Sequence, residues 1–578
     1  MEQQEQTTFP QYTPTPPWPP YTPPPAPAER PAFPTGKKEL LFALGAVFSA
    51  LALVNCLLFG GANLGFALAM ICSLSFATAY LWSCGKRPNG YNLTISGLSI
   101  AIAAGFIRSD DGFVKFVMVC FLLVAINLSL CLQSGQNLRP SSGVTSLLDA
   151  PRALFIMGIG KLPESFRGLY RATKNGGEGS KKTGAVLLGL VIVVPVMLIV
   201  LPLLISADAA FEGLWNLLPD FEIAELIVTL ILGSGLTCLL YSRTVALRHA
   251  ATTAPSVYNA KKVSALTINT VLIALCFVYV VYLFSQLAYF SGGLAGVLPE
   301  GFTMAEYARR GFFEMAWLCL INLTIISLAV GLVAKEEKTP LLTRLLCLFI
   351  GVVTVFFVVT ASAKMGMYIQ AYGLTRLRVL TEVIMVFFGL ATMIVSIWLF
   401  VPKMAYMKVI LILALAMGAT VLWADVDTVV ASYNVHAYQS GALNTVDVEY
   451  LTELSSGAVP YIIELAENGN SEAAAWLQEN SSVYYWTRDF DDLRSWNIGD
   501  WLAGKLIYNW KTANRLLFLT PMTLLCRDRR PRRSLYCSFN RAITGNLKGS
   551  RHEKTAMVFG CLWADIGNRG LHRPVCTR

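Results

Sequence analysis

Two groups of charged and phenolic residues sit at helical spacing beside apolar stretches. Glu306, Arg310 and Glu314 are four apart, as are Arg378 and Glu382. Lys364, Tyr368, Tyr372 and Arg376 form another four-residue stripe until Gly373 interrupts it. A spacing of four puts side chains on one helix face, where opposite charges can pair. Guanidinium forks beside phenols suit a phosphate or carboxylate. The predicted ligand-binding set is therefore Arg309, Arg310, Glu314, Lys364, Tyr368, Arg376 and Arg378, holding an anionic headgroup or solute at the outer mouth of a bundle. A plainer reading has the cations reaching for the membrane interface, the tyrosines in the interfacial belt and the acids pairing with them.

No acid, base and nucleophile set can be assigned, so no residue is read as catalytic and nothing points to an enzyme. Gly499 to Lys505 has phosphate-loop spacing, but Leu506 replaces the hydroxyl residue that would hold magnesium and no strand precedes it. The four histidines, His249, His436, His552 and His572, lack ligand spacing, so neither a metal nor a cofactor is expected.

These residues must be positioned by membrane helices. The chain is 55% hydrophobic and only 14% charged, too little polar surface to coat a soluble globule of 578 residues. About eleven apolar stretches are each long enough to cross a bilayer, and backbone groups in lipid must be satisfied within each segment. The predicted spans are Leu40 to Phe59, Leu64 to Trp82, Tyr91 to Ile107, Phe116 to Gln133, Ala185 to Ile205, Ile223 to Ser242, Val263 to Phe284, Phe312 to Ala334, Leu345 to Ala361, Val379 to Val401 and Val409 to Val430. The fold class is thus an all-α, polytopic integral membrane helix bundle with a small helical extramembrane C-terminal segment. No removable signal peptide is read in the first forty residues. Lys and Arg concentrate in alternate loops, which predicts a cytoplasmic N-terminus.

Four regions follow. Residues 1–38 are predicted to be a disordered cytoplasmic tail, since residues 1–36 hold 12 of the 27 prolines; it is a solvated spacer or a docking strip for a protein partner. Residues 39–430 are the transmembrane domain. Within it an inner basic loop carries Phe155, Ile159, Leu162, Phe166 and Leu169 at helical spacing with Arg152, Lys161, Arg167, Arg171 and Lys174, a pattern that suits the bilayer surface and anionic lipid. Gly158, Gly160 and Pro163 should break it into two pieces. Residues 431–510 are an acidic extracytoplasmic segment of short helices near Asp447 to Leu454, after Ser456 and Pro460, after Ser471 and from about Asp491.

Residues 511–578 differ in kind, with 14 Lys or Arg against three Asp or Glu, enough to supply the whole net charge of +10. No aromatic-interleaved pattern accompanies the cations, so no nucleic-acid partner is expected. The composition reads as non-native to the fold, as a reading-frame fault near Lys511 would produce.

Several stretches are distinctive: Ser206-Ala207-Asp208 with Phe211, the run from Glu306 to Glu314, Lys364 to Tyr368 leading to Tyr372 to Arg378, Tyr433-Asn434-Val435, and Asp447 to Leu451. Together they resemble the bacterial membrane-protein family known as domain-of-unknown-function 4173, close to family 4153. The resemblance spans roughly Ser206 to Trp510 and implies a multi-pass protein of the bacterial plasma membrane, without a reaction, ligand or catalytic residue. Two functions are expected on these grounds. The first is non-enzymatic transport or lipid and solute handling at an outer-face polar site. The second is a membrane sensor or scaffold acting through the proline-rich tail and acidic outer segment.

Overall fold

A computed structural model describes residues 32–34, 36–137, 144–175, 223–249, 263–294, 312–332, 340–480 and 492–514, with isolated positions between 189 and 207. Its regular structure is helical, as the all-α reading expects. In chain order come α1 (Lys37–Asn55, prolonged as a π-helix over Cys56–Gly60), α2 (Leu64–Ser83), α3 (Gly90–Gly105), α4 (Gly112–Ser134), α5 (Leu162–Asn175), α6 (Ile223–His249), α7 (Ala265–Leu294) and α8 (Phe312–Leu332). They are followed by α9 (Leu341–Tyr372), α10 (Arg376–Phe400), α11 (Tyr406–Ala424), α12 (Val426–Gln439), α13 (Val448–Thr452), α14 (Val459–Glu467), α15 (Ser471–Asn480) and α16 (Ile498–Ala513). Among the described residues nine helices are long and apolar enough to cross a membrane: α1, α2, α4 and α6–α11. Phe116, Phe277 and Trp317 stand exposed on them, an arrangement that lipid favours and water does not.

Long-range hydrogen bonds sort the helix ends onto two faces. On the first, Tyr80 donates to Glu39 (2.9 Å), Arg248 pairs with Glu39, and Gln133 donates to the carbonyls of Thr78 and Lys86 (3.1 Å each). On the second, Lys115 donates to Asn63 (2.6 Å), Arg494 pairs with Glu225 (2.8 Å), and Ile498 N–H bonds the carbonyl of Ile107 (2.9 Å). Helix direction therefore alternates. With 16 residues α3 is shorter than those nine, yet Asn92 near its start bonds Ser129 of α4 and Phe106 at its end accepts from Asn497 on the second face.

Several predicted boundaries are corrected. The ninth span runs to Tyr372, so Lys364 and Tyr368 lie on α9 and not in a loop; its 32 residues reach about 48 Å at 1.5 Å per residue, beyond a hydrocarbon core of about 30 Å. The last span ends at Ala424, because Asp425 takes φ +54° and starts a new helix. The sixth continues past Ser242 to His249 and carries Arg243 into the bundle. The fifth, Ala185 to Ile205, lies outside the described residues apart from isolated positions.

The main core joins α7, α8, α9 and α10 through Leu272, Cys319, Ile350, Phe357 and Met385. Buried amides find partners across helices, as hydrocarbon surroundings require. Asn322 receives the Tyr279 hydroxyl and donates to Thr354 (3.0 Å), and Asn55 donates to Thr229 (3.1 Å). The segment predicted as an inner basic loop forms the expected two pieces, a π-helix over Arg152–Ile159 and α5, with Phe155, Ile159 and Phe166 exposed. In the C-terminal segment α16 starts at Ile498 and not near Asp491, since the Asn497 side chain accepts the Gly499 N–H (2.7 Å) as its cap. The Gly499 to Lys505 run is thus helical. The chain divides into Met1–Asn509 and Trp510–Arg578; of the second unit, residues 510–514 are described.

Candidate functional site

The second face is organised by the turn between α9 and α10. Gly373 ends α9 at φ +74°, where a side chain would be strained and its Cβ would lie 2.6 Å from the Asn434 carbonyl oxygen. Asn434 clamps the turn by accepting the Leu374 N–H (2.7 Å) and donating to the Leu374 carbonyl (2.9 Å). The Arg376 N–H donates to the Tyr450 hydroxyl (3.0 Å). Three stretches that are distant in sequence, 372–378, 433–435 and 447–451, therefore meet at one place and fix the first residues of α10.

That turn aims Arg376 at two carboxylates. Its guanidinium forks onto both oxygens of Asp427 and lies 3.2 Å from Asp111, which also caps α4 through the Val114 N–H (2.8 Å). Asp427 is wholly buried and Asp111 nearly so. Burial alone would raise the Asp427 carboxyl, but hydrogen bonds from Arg376 and Ser455 outweigh it and hold it below the usual carboxylate range. Asp425, two residues earlier and 1% exposed, forms no ion pair among the described residues, though the charge of Arg108 is near. Burial raises it to about 6, against the bond that Thr428 donates to its Oδ2 (2.7 Å), and its Oδ1 has no partner among the described residues. Asp500 of α16 is also raised, by burial and then by the charge of Asp110.

Gly457 closes over this group. A Cβ there would fall 2.2 Å from Asp425 Oδ2 and 2.5 Å from Thr428 Oγ1. Gly457→Ala should lower stability by about 1–3 kcal/mol, as overpacking does, read by thermal unfolding in detergent; an unchanged midpoint would show that the 455–458 turn yields freely.

Directly beneath the ion group an apolar cavity of about 350 Å³ opens between α4, α10 and α11. Its wall is Val114, Met118 and Phe121 of α4, Leu380, Ile384 and Phe387 of α10, and Ala414, Gly418 and Val421 of α11. These recur every three or four residues, and each stripe runs into the polar group: Asp111 heads that of α4, Arg376 that of α10, and Asp425 follows that of α11.

The predicted binding residues are thereby divided. Arg376 belongs to the carboxylate group. Arg378 lies two positions on and points to the other side, its guanidinium 4.0 Å above the Tyr368 ring and bonded to the carbonyls of Tyr372 (3.2 Å) and Gly373. Lys364 stands one turn below Tyr368 on α9, half-buried. Glu314 is exposed on α8, and Arg309 and Arg310 lie outside the described residues. Asp111, Asp425, Asp427 and Asp500 were not singled out from sequence; Asp425 and Asp427 fall inside the predicted span Val409 to Val430, and the one local signal was the pair Asp110-Asp111 just past the predicted span end at Ile107. Among the described residues no group of three or more His, Cys, Asp or Glu is arranged to hold a metal.

Helices of this length and apolarity, ending in polar groups on two opposed faces, define a multi-pass membrane protein. A family model described as Domain of unknown function (DUF4153) matches residues 93–465, and the chain belongs to that family, the neighbour of the one its motifs resemble. No curated protein and no solved structure matches the chain.

Proposed function

We propose that the protein handles a membrane amphiphile, with an acyl chain in the groove between α4, α10 and α11 and a polar head at the rim formed by Arg376, Asp111 and Asp427. What carries this reading is the coincidence of the apolar cavity with the ion group at the end of all three lining helices. A cavity facing hydrocarbon fills with acyl chain at little desolvation cost, and a rim of fixed charges selects the head. Arg378, with no carboxylate partner among the described residues, supplies the cation for an anionic head, and Tyr368 holds it in place. Lys364, Glu314, Arg309 and Arg310 extend the same polar surface in this reading. The charge bias of the loops supports placing this face outside a bacterial plasma membrane and the Lys37 end in the cytoplasm.

A phospholipid carrying a diazirine near its acyl terminus tests it in proteoliposomes. Crosslinks should concentrate on residues 113–121, 380–387 and 414–421, and Ala414→Phe, which fills the groove, should lower their yield several-fold. Equal labelling of every lipid-exposed helix would count against the site.

The sensor or scaffold reading has one observation of its own. Phe33, near the end of the proline-rich stretch, is buried against His249 (6.0 Å between ring centroids) and donates its N–H to the Glu164 carbonyl (3.1 Å). The N-terminal tail is thereby tied to α6 and to the inner amphipathic segment. A partner pulling on that tail would act directly on both.

A further inference from the structure

Arg243 is a further charge buried in the bundle, on the half nearer the first face. It is 3% exposed, on α6 between Leu240 and Leu247, both fully buried or nearly so. Its one hydrogen bond among the described residues runs from Nη1 to Asn127 Oδ1 (3.2 Å), and its Nε–H has no acceptor. No carboxylate pairs with it there, unlike Arg376, Arg494 and Arg248, each of which has one. A buried guanidinium with a single neutral partner leaves most of its desolvation uncompensated.

The surroundings are built to hold the group still. Asn127 donates its own amide to the Leu123 carbonyl (2.7 Å), which turns Oδ1 toward Arg243. Gly158 lets the π-helix of the inner segment close over α6; a Cβ there would be 2.7 Å from Leu239 Cδ1 and 3.7 Å from Arg243 Cβ. With Nη1 spent on Asn127, the edge formed by Nε and Nη2, two parallel N–H donors, has no acceptor among the described residues; its Nε is fully enclosed, so an oxyanion reaches it as the side chains packed around it shift. Such a fork matches two oxygens of a phosphate or carboxylate.

We infer that Arg243 and Asn127 form an oxyanion-binding site between α4, α6 and the inner π-helix, on the opposite half of the bundle from the amphiphile groove. The ligand class is a phosphate-type oxyanion, either free or as the headgroup of an anionic phospholipid. Bound there, it supplies the counter-charge that the protein lacks at this point, so folding of this half depends on it.

The test is thermal unfolding of the full chain in zwitterionic detergent. One arm titrates inorganic phosphate against chloride at constant ionic strength, and the other adds phosphatidylglycerol against phosphatidylcholine. A saturable rise in the melting midpoint is expected in one arm, which identifies the source. Arg243→Gln should weaken the apparent affinity at least about tenfold, the loss of a charge-assisted fork. Arg243→Lys should retain part of the response. Asn127→Asp places a carboxylate 3.2 Å from the guanidinium; this variant should be stable without the oxyanion and indifferent to it, and it decides the matter should Arg243→Gln not fold. No saturable response in either arm, or an undiminished response in Asn127→Asp, overturns the inference.

Discussion

Arg376→Met should cost about 3–5 kcal/mol, the largest loss expected of any single substitution on the second face, because it leaves Asp427 buried without a cation. The arginine itself is about one-third exposed, so its own desolvation contributes little; the loss arises at Asp427, which has no exposure at all. The sign of the pH dependence follows from the depressed Asp427 carboxyl. Its stabilisation is fully present above the unfolded value of 3.8 and is lost as pH falls through the lower folded value. In Arg376→Met that acid-side loss should vanish, since the carboxyl then prefers its proton. Combining it with Asp427→Asn should recover a good part of the stability, as neighbouring members of one network are not additive. Thermal unfolding in detergent from about pH 2 to 7 reads the parent, the single variant and the double variant. A loss below 1 kcal/mol in the single variant would mean that water reaches Asp427 freely.

The second large effect lies two residues away and has the opposite sign. Asp425 has a folded value of about 6 against 3.8 unfolded, so the folded state favours its protonated form. The penalty for ionising it grows as pH rises from about 4 and levels off above about 6, where it approaches 3 kcal/mol as an upper figure. Asp425→Asn keeps an oxygen for Thr428, tolerates φ +54° as well as any side chain does and carries no charge. The variant should therefore be more stable than the parent at pH 7.5, equal to it near pH 4, and flat between. If the parent shows no decline in stability from pH 5 to 7, Asp425 is either solvated or held by a cation.

These two aspartates show why the site was only partly legible. Arg376, Arg378, Lys364 and Tyr368 could be picked out because their types are unusual beside apolar runs and their spacing is helical. Asp427 could not, because the apolar stretch around it continues to Val430 and hid the break at Asp425. That break comes from packing, with Gly457 and Thr428 closing on the Asp425 carboxyl, and not from a proline or glycine in the run. Arg243 fell just outside the predicted span Ile223 to Ser242 for a related reason. Hydropathy falls after Ser242, whereas the helix continues to His249 because Arg248 finds Glu39 on α1.

By itself the sequence determined that this is a multi-pass helical membrane protein, where most helices begin and end, and which helix ends share a face. Those properties follow from hydropathy summed over about 20 residues and from the alternation of helix direction, and both are one-dimensional. Only the tertiary structure decided that Arg376 serves Asp111 and Asp427, that Arg378 turns away to Tyr368, that three apolar stripes enclose one cavity, and that Arg243 is buried beside an amide. Arg378 and Tyr368 aside, each of these depends on contacts between residues from about thirty to several hundred positions apart. Such contacts carry no local spacing, since they are set by which helices pack and how far each one is rotated.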